Sequence, residues 1–92
     1  MKPTVGMHVT KRIGSDSYPY EIIEVVNARQ FIARKLDAVN TETWPVQNWV
    51  YNSNENNPTV VVTKKQYGWG EKGCKHTKFE LGYAAQHLDT SL

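Results

Sequence analysis

Residues that branch at the β-carbon dominate the apolar part of this sequence. Val and Ile together number fourteen, against four Leu and five Ala. Such side chains lose conformational freedom in a helix and pack well on a pleated surface, so they favour strands. A length of 92 residues is typical of one small domain. We therefore predict a single all-β domain over residues 1–92, built as a strongly bent antiparallel sheet or small barrel.

Alternation of apolar and polar residues predicts where the strands lie. The expected strands cover residues 5–13, 20–27, 30–36, 48–51, 59–65 and 77–81. Residues 37–47 are polar and contain Pro45, so they break the pattern, and three glycines from Gly68 to Gly73 indicate a loop or short hairpin. Residues 83–88 leave room for one or two helical turns. We expect five to seven strands.

Three strands are apolar on both faces, around residues 22–26, 31–33 and 60–62. In a sheet with one face exposed to water, apolar and polar residues would alternate more regularly along each strand. The second face is therefore expected to be covered by barrel closure, by a loop or by another subunit. We predict a homo-oligomer.

Charge is unevenly distributed along the chain. The net charge is +2, but residues 1–12 carry +3, residues 13–63 carry −3, residues 64–78 carry +4 and residues 79–92 carry −2. A basic segment on a nearly neutral protein suits a phosphate-bearing ligand better than a long duplex. No apolar run approaches the roughly 18 residues that span a bilayer, and no signal-peptide pattern opens the chain. We predict a cytoplasmic protein with no membrane partner.

The basic segment contains Gly68-Trp69-Gly70-Glu71-Lys72-Gly73, which has the Gly-x-Gly-x-x-Gly spacing. A dinucleotide site would need this spacing inside a βαβ unit, so a glycine-rich turn between strands is the simpler interpretation. Glycines also expose backbone N–H groups, here beside Lys64, Lys65, Lys72 and Lys75. Such a nest can hold a phosphate.

The stretch Lys64-Lys65-Gln66-Tyr67-Gly68-Trp69 resembles the Lys-x-aromatic-Gly-aromatic element of cold-shock domains. That resemblance implies that Tyr67 and Trp69 stack bases while lysines contact phosphates. The alternative is that both rings pack onto the barrel.

Catalytic and metal chemistry find little support in the sequence. Cys74 and His76 form one close pair, whereas a structural zinc site usually has two ligand pairs, and no third residue is placed to orient a cysteine nucleophile. The acidic residues Asp16, Glu21, Glu24, Asp37 and Glu42 are scattered, and their spacing nominates no acid and base pair. We predict no catalytic residue, no metal and no cofactor.

The first 36 residues resemble two groups of proteins. The segments Val5-Gly6-Met7-His8-Val9, Tyr18-Pro19-Tyr20-Glu21-Ile22-Ile23-Glu24-Val25 and Phe31-Ile32-Ala33-Arg34 are similar to the first three strands of Tudor-like, Src-homology-3-type barrels. The stretch Gly14-Ser15-Asp16-Ser17-Tyr18-Pro19-Tyr20, with the later Lys65-Gln66-Tyr67-Gly68-Trp69, resembles small bacteriophage and prophage proteins. The resemblance implies a barrel and a phage origin, and it implies no reaction. The end of the chain departs from the aromatic-Asp-Pro-Ser-Phe tail of those phage proteins.

In a Tudor-like barrel, the position of Tyr18 and Tyr20 borders an aromatic cage, with Trp44 or Trp49 as a third wall. The alternative places Tyr20 in the core. Arg34, on the next predicted strand, completes this second candidate site.

Two function classes follow from these patterns. The first is a non-enzymatic phage counter-defence protein that sequesters a small phosphate-bearing nucleotide-type ligand. The second is a small module that binds single-stranded nucleic acid or a host protein. A small hydrolase acting on such a ligand is a third hypothesis. The candidate ligand-binding residues are Tyr18, Tyr20, Arg34, Lys64, Lys65, Tyr67, Trp69 and Lys72.

Overall fold

A computed structural model describes residues 2–88 as eight antiparallel strands joined by turns and loops. The strands are β1 His8–Ile13, β2 Asp16–Asn27, β3 Gln30–Lys35, β4 Asp37–Asn40, β5 Trp49–Asn52, β6 Thr59–Lys65, β7 Gly68–Glu71 and β8 Lys78–Leu81. Six of them close into a barrel in the order β1-β2-β3-β6-β7-β8, while β4 and β5 form a separate two-stranded sheet. The predicted small all-β barrel is confirmed.

The barrel closes because β2 is long enough to pair with two neighbouring strands. Its first half pairs with β1, from Ile13 opposite Asp16 to His8 opposite Glu21, and its second half pairs with β3. The β2–β3 register shifts between Ile22 and Glu24, as at a β-bulge. Bulges increase local twist, which lets a short sheet curl onto itself.

Alternate residues of the barrel strands point inward and form the core. In β3, Phe31 and Ala33 are fully buried, whereas the intervening Ile32 is half-buried on the outer side. The core side chains that pack together are those of Val9, Tyr20, Ile22, Phe31, Ala33, Val62, Trp69 and Phe79. The sequence pattern marks three of these strands as apolar on both faces. Closure of the barrel covers one of the two faces.

The predicted strands differ from the structure in several bounds and in the addition of β4. The bounds of β6 match, but β2 begins at Asp16 rather than at residue 20, because its first residues pair with the end of β1. Residues 37–40 form β4, which contains Asp and Asn and little apolar periodicity. This strand is formed by pairing with β5 across a long loop, a long-range partner that local periodicity does not predict.

The helical turns expected at residues 83–88 are absent, which corrects that prediction. Instead, His87 pairs with Ser17 of β2, with backbone N···O distances of 2.8 and 3.0 Å. The hydroxyl of buried Thr10, on the outer side of β1, donates to the Tyr83 carbonyl at 2.8 Å. The segment 82–88 thus lies along the barrel without forming a helix, because barrel strands supply hydrogen bonds to it.

Candidate functional site

Trp69, on β7, is a core residue. Its side chain is 8% exposed, and its ring lies 5.1 Å from that of Phe31, centroid to centroid. Lys64, opposite Trp69 in the β6–β7 register, places its Nζ 5.2 Å from the centre of the indole ring. The indole therefore has little free surface on which a base could stack, and exposed Lys64 covers it from outside.

Tyr67 lies on the opposite side of the same hairpin. Its hydroxyl donates to the Thr77 carbonyl at 3.1 Å, and the ring crosses over Gly70, where a β-carbon would overlap the hydroxyl. The side chain is 48% exposed. Gly68 between the two aromatics has a φ of 125°, which interrupts the strand alternation. The structure thus separates Tyr67 from Trp69, which the sequence pattern expects on one face.

Lys65 supports this outer surface. Its Nζ lies 6.0 Å from the centre of the Tyr67 ring, and it donates to the carbonyl oxygens of Glu71 and Cys74. Because its ammonium group bonds those two carbonyls, Lys65 mainly links β6 to the loop that follows β7.

Several backbone N–H groups of the glycine-rich loop already donate hydrogen bonds within the protein. Glu71 N donates to Thr77 Oγ1 at 3.1 Å, Lys72 N to the Val61 carbonyl at 2.8 Å, and Cys74 N to the Glu71 carbonyl at 3.0 Å. These three amides are thus engaged within the protein. A phosphate near the loop would be bound chiefly by side chains.

The cations on this loop are more available. Lys72, Lys75 and Lys78 are exposed. Among residues 2–88, Lys11 forms an ion pair with Glu71 and Arg12 forms one with Glu80, so the carboxylates of β7 and β8 are already neutralised. The outer side of β6 and β7, with the loop 71–78, is therefore a positively charged surface with one fixed, exposed aromatic ring. We call it the Tyr67 face.

The second candidate site is distributed over β2 and β3. Tyr20 is buried, with its ring 5.6 Å from Phe79 in an edge-to-face arrangement, and burial raises the pKa of its phenol. Tyr18 is half-buried and donates to Asp16 Oδ2 at 3.4 Å, with Lys35 Nζ 5.7 Å from its ring. Since Tyr20 is a core residue, it offers no wall for an aromatic cage.

The tryptophans considered as a third cage wall lie in the β4–β5 hairpin. Trp44 is exposed at its tip, and Trp49 donates from Nε1 to Gln47 Oε1 at 3.1 Å. Arg34 lies on the outer side of β3, opposite Glu21 in the register, and its Nε is buried without a hydrogen-bond partner. It is on a different strand from the Tyr67 face and does not join it.

The Cys74 and His76 pair forms no metal centre with other described residues. Across residues 2–88, no group of three His, Cys, Asp or Glu side chains is placed to hold a metal ion. The backbone N–H of His76, and then the side chain of Thr77, lower the pKa of the Cys74 thiol.

No cavity or cleft is found in the part of the chain that the structure describes. The same residues contain no helix able to cross a bilayer. Comparisons with protein-family models, curated proteins and solved structures gave no match to this chain. The resemblances to Tudor-like and phage proteins consequently stay predictions.

Proposed function

We propose that this chain is a binding protein without catalytic activity, whose ligand is a phosphate-bearing nucleotide chain held on the Tyr67 face. The observation that supports it most is the fixed ring of Tyr67, which is 48% exposed and lies on the hairpin that leads into a segment with exposed lysines. A hydroxyl anchored to the Thr77 carbonyl holds the ring in place before any ligand arrives. Stacking on a ring that is already ordered costs little conformational entropy.

The open shape of this surface favours a single strand over a small enclosed ligand. Pockets for small molecules usually bury most of the ligand, and residues 2–88 form no such cavity. A single strand needs only an aromatic platform and a track of cations for its phosphates. Lys72 and Lys75, on the loop that follows β7, and Lys78, at the start of β8, supply such cations. Sequestration of a small nucleotide signal, as in phage counter-defence, stays a prediction.

Binding is tested by fluorescence anisotropy with labelled oligo(dT) and oligo(U) of increasing length, over a range of salt concentrations. We expect affinity to rise with length until the face is filled. The logarithm of the binding constant should fall with the logarithm of salt, with a slope of about −0.7 per phosphate contacted. Cyclic dinucleotides and mononucleotides serve as competitors. Tight, salt-insensitive binding of a small nucleotide would instead favour the sequestering function.

Variants at matched positions locate the site. Tyr67→Leu removes the ring, and Tyr83→Leu removes a similarly exposed tyrosine from the segment 82–88. Lys72→Gln removes an exposed cation from the face, and Lys2→Gln removes one outside it. We expect Tyr67→Leu to weaken binding by about 1–3 kcal/mol, and the two control variants to have little effect.

A homo-oligomer and a cytoplasmic location also stay predictions. Strands that are apolar on both faces predict an oligomer. On the outer side of the barrel, however, Ile23, Ile32 and Val61 are already half-buried within one chain, so these residues need no partner subunit to cover them.

A further inference from the structure

The barrel has one short strand pairing, between β7 and β8. Within residues 2–88, Trp69 opposite Phe79 is the one pair in register between these two strands. By contrast, β6 and β7 pair over four residues, and so do β1 and β8. We call the junction of β7 with β8 the barrel seam. Because backbone hydrogen bonds hold neighbouring strands together, the seam is the weakest junction of the closed sheet.

Side chains supply further bonds across the seam. Glu71 N donates to Thr77 Oγ1 at 3.1 Å, where a regular strand pair would use a backbone carbonyl. The Tyr67 hydroxyl donates to the Thr77 carbonyl at 3.1 Å, and its ring reaches that carbonyl by crossing over Gly70. The ion pair of Lys11 with Glu71 also spans the seam. Closure at this junction therefore depends on a few side chains.

Both strands have longer pairings on their other sides. After β7, Lys72 N donates to the Val61 carbonyl of β6 at 2.8 Å. After β8, Gly82 N donates to the His8 carbonyl of β1 at 2.9 Å. Separation of β7 from β8 would keep these bonds, and it would leave an open sheet in the order β8-β1-β2-β3-β6-β7.

The core rings at the seam also have neighbours elsewhere. The Trp69 ring lies 5.1 Å from that of Phe31 on β3, and the Phe79 ring lies 5.6 Å from that of Tyr20 on β2. Each ring therefore keeps an aromatic contact on its own side when the two strands part. Local opening is easiest where few contacts must be broken.

We propose that the barrel opens locally at the seam while the rest of the sheet stays folded, and that the Tyr67 hydroxyl holds the seam closed. In the open form, Thr77 and the loop before it move away from β7, and the Tyr67 ring loses its anchor. The Tyr67 face is then complete only while the seam is closed. The proposal rests on contacts within the free chain, so its failure and the failure of nucleotide binding are distinguishable.

Amide hydrogen exchange of the full chain without ligand, followed by NMR, tests the opening. The N–H groups of Glu71 and Lys72 bond in different directions, that of Glu71 across the seam and that of Lys72 to β6. Ala33 reports global unfolding, because it pairs on both sides, with Ile22 and Val60. After correction for the rates of an unstructured chain, the Glu71 amide should exchange about tenfold or more faster than those of Lys72 and Ala33.

Tyr67→Phe keeps the ring and removes the hydroxyl. The bond to Thr77 is lost in both the open and the unfolded chain, so the Glu71 and Ala33 amides should both exchange about fivefold faster, as for the loss of one hydrogen bond. Tyr83→Phe is the matched control, since Tyr83 is similarly exposed and its hydroxyl accepts from Arg12 of β1. It should leave the Glu71 rate unchanged.

Three results would overturn the proposal. Exchange of the Glu71 amide at the rate of Ala33 in the unchanged chain would show that the seam opens only with global unfolding. Equally fast exchange of Glu71 and Lys72 would show that the whole loop detaches from β6 as well. An unaltered Glu71 rate in Tyr67→Phe would show that the hydroxyl does not hold the seam closed.

Discussion

Lys11 Nζ donates to Glu71 Oε1 at 2.9 Å and so joins β1 to β7, two strands that are not neighbours in the barrel. The side chains are 14% and 30% exposed. Lys11 is opposite buried Phe79, and Glu71 is opposite buried Val62, so both start from the inward side of their strands. The ion pair therefore joins the inward sides of two strands that β8 separates.

Removal of Lys11 should destabilise the barrel more than removal of an exposed lysine. Exposed ion pairs contribute up to about 1 kcal/mol, while breaking a buried pair costs about 3 kcal/mol or more. We expect Lys11→Met to lower the free energy of unfolding, measured by urea denaturation, by an amount between these limits. Exposed Lys72→Met should have almost no effect. Adding Glu71→Gln to Lys11→Met should recover part of the loss, because the unpaired carboxylate is removed. A loss that simply adds in the double variant would contradict this coupling.

Stability should fall in alkaline solution. Burial lowers the pKa of Lys11, but the hydrogen bond and charge of Glu71 and the nearby Tyr20 raise it overall above its ordinary value of 10.5. Burial also raises the pKa of Tyr20 above its ordinary value of 10.0. Both groups hold their protons more tightly in the folded chain than in the unfolded chain, so stability is complete below pH 10 and is lost above it. Melting temperatures measured from pH 8 upward check this, and Tyr20→Phe should reduce the alkaline loss.

Trp69→Ala should cost about 3–5 kcal/mol of stability, because it leaves a cavity beside Phe31. Urea denaturation measures this loss, and Trp69→Phe, which keeps an aromatic ring in the core, should lose less. Tyr67→Leu should change stability much less, because Tyr67 is half exposed. Equal stability losses in Trp69→Ala and Tyr67→Leu would contradict the placement of the two rings on opposite sides of the hairpin.

Gly70→Ala should disturb the Tyr67 face directly. The new methyl group would overlap the Tyr67 hydroxyl and approach the backbone carbonyl of Thr77 to 3.2 Å. We expect a loss of about 1–3 kcal/mol in denaturation and weaker oligonucleotide binding, since the ring must move. In a Tyr67→Ala background the same glycine change should cost less, because the hydroxyl that it meets is gone.

Local patterns in the sequence predict the barrel strands but not the residues that complete each surface. The run Thr59–Lys65 has enough β-branched residues to fix both ends of β6. The sequence also marks Lys64, Tyr67 and Trp69 as neighbours. It could not place Tyr67 and Trp69 on opposite sides, because that depends on the φ of Gly68 and on a hydrogen bond to Thr77 ten residues away.

The β4–β5 hairpin lies further from what local patterns can predict. β4 and β5 are separated by a loop, and their inner face is covered by the segment 82–88, which looks helical in isolation. Tertiary hydrogen bonds, such as those of Gln47 with Leu88, determine both features.

Amide chemical shifts of the isotope-labelled chain, followed while oligo(dT) is added, test the ligand-binding proposal most directly. We predict that the shifts change along β6, β7 and the loop 71–78, and that those of the β4–β5 hairpin stay constant. Tyr67→Leu should remove the changes while the rest of the spectrum is preserved. Shifts that do not respond to the oligonucleotide at low salt, or that respond chiefly in the hairpin, would contradict the assignment of the Tyr67 face as the nucleotide-binding surface.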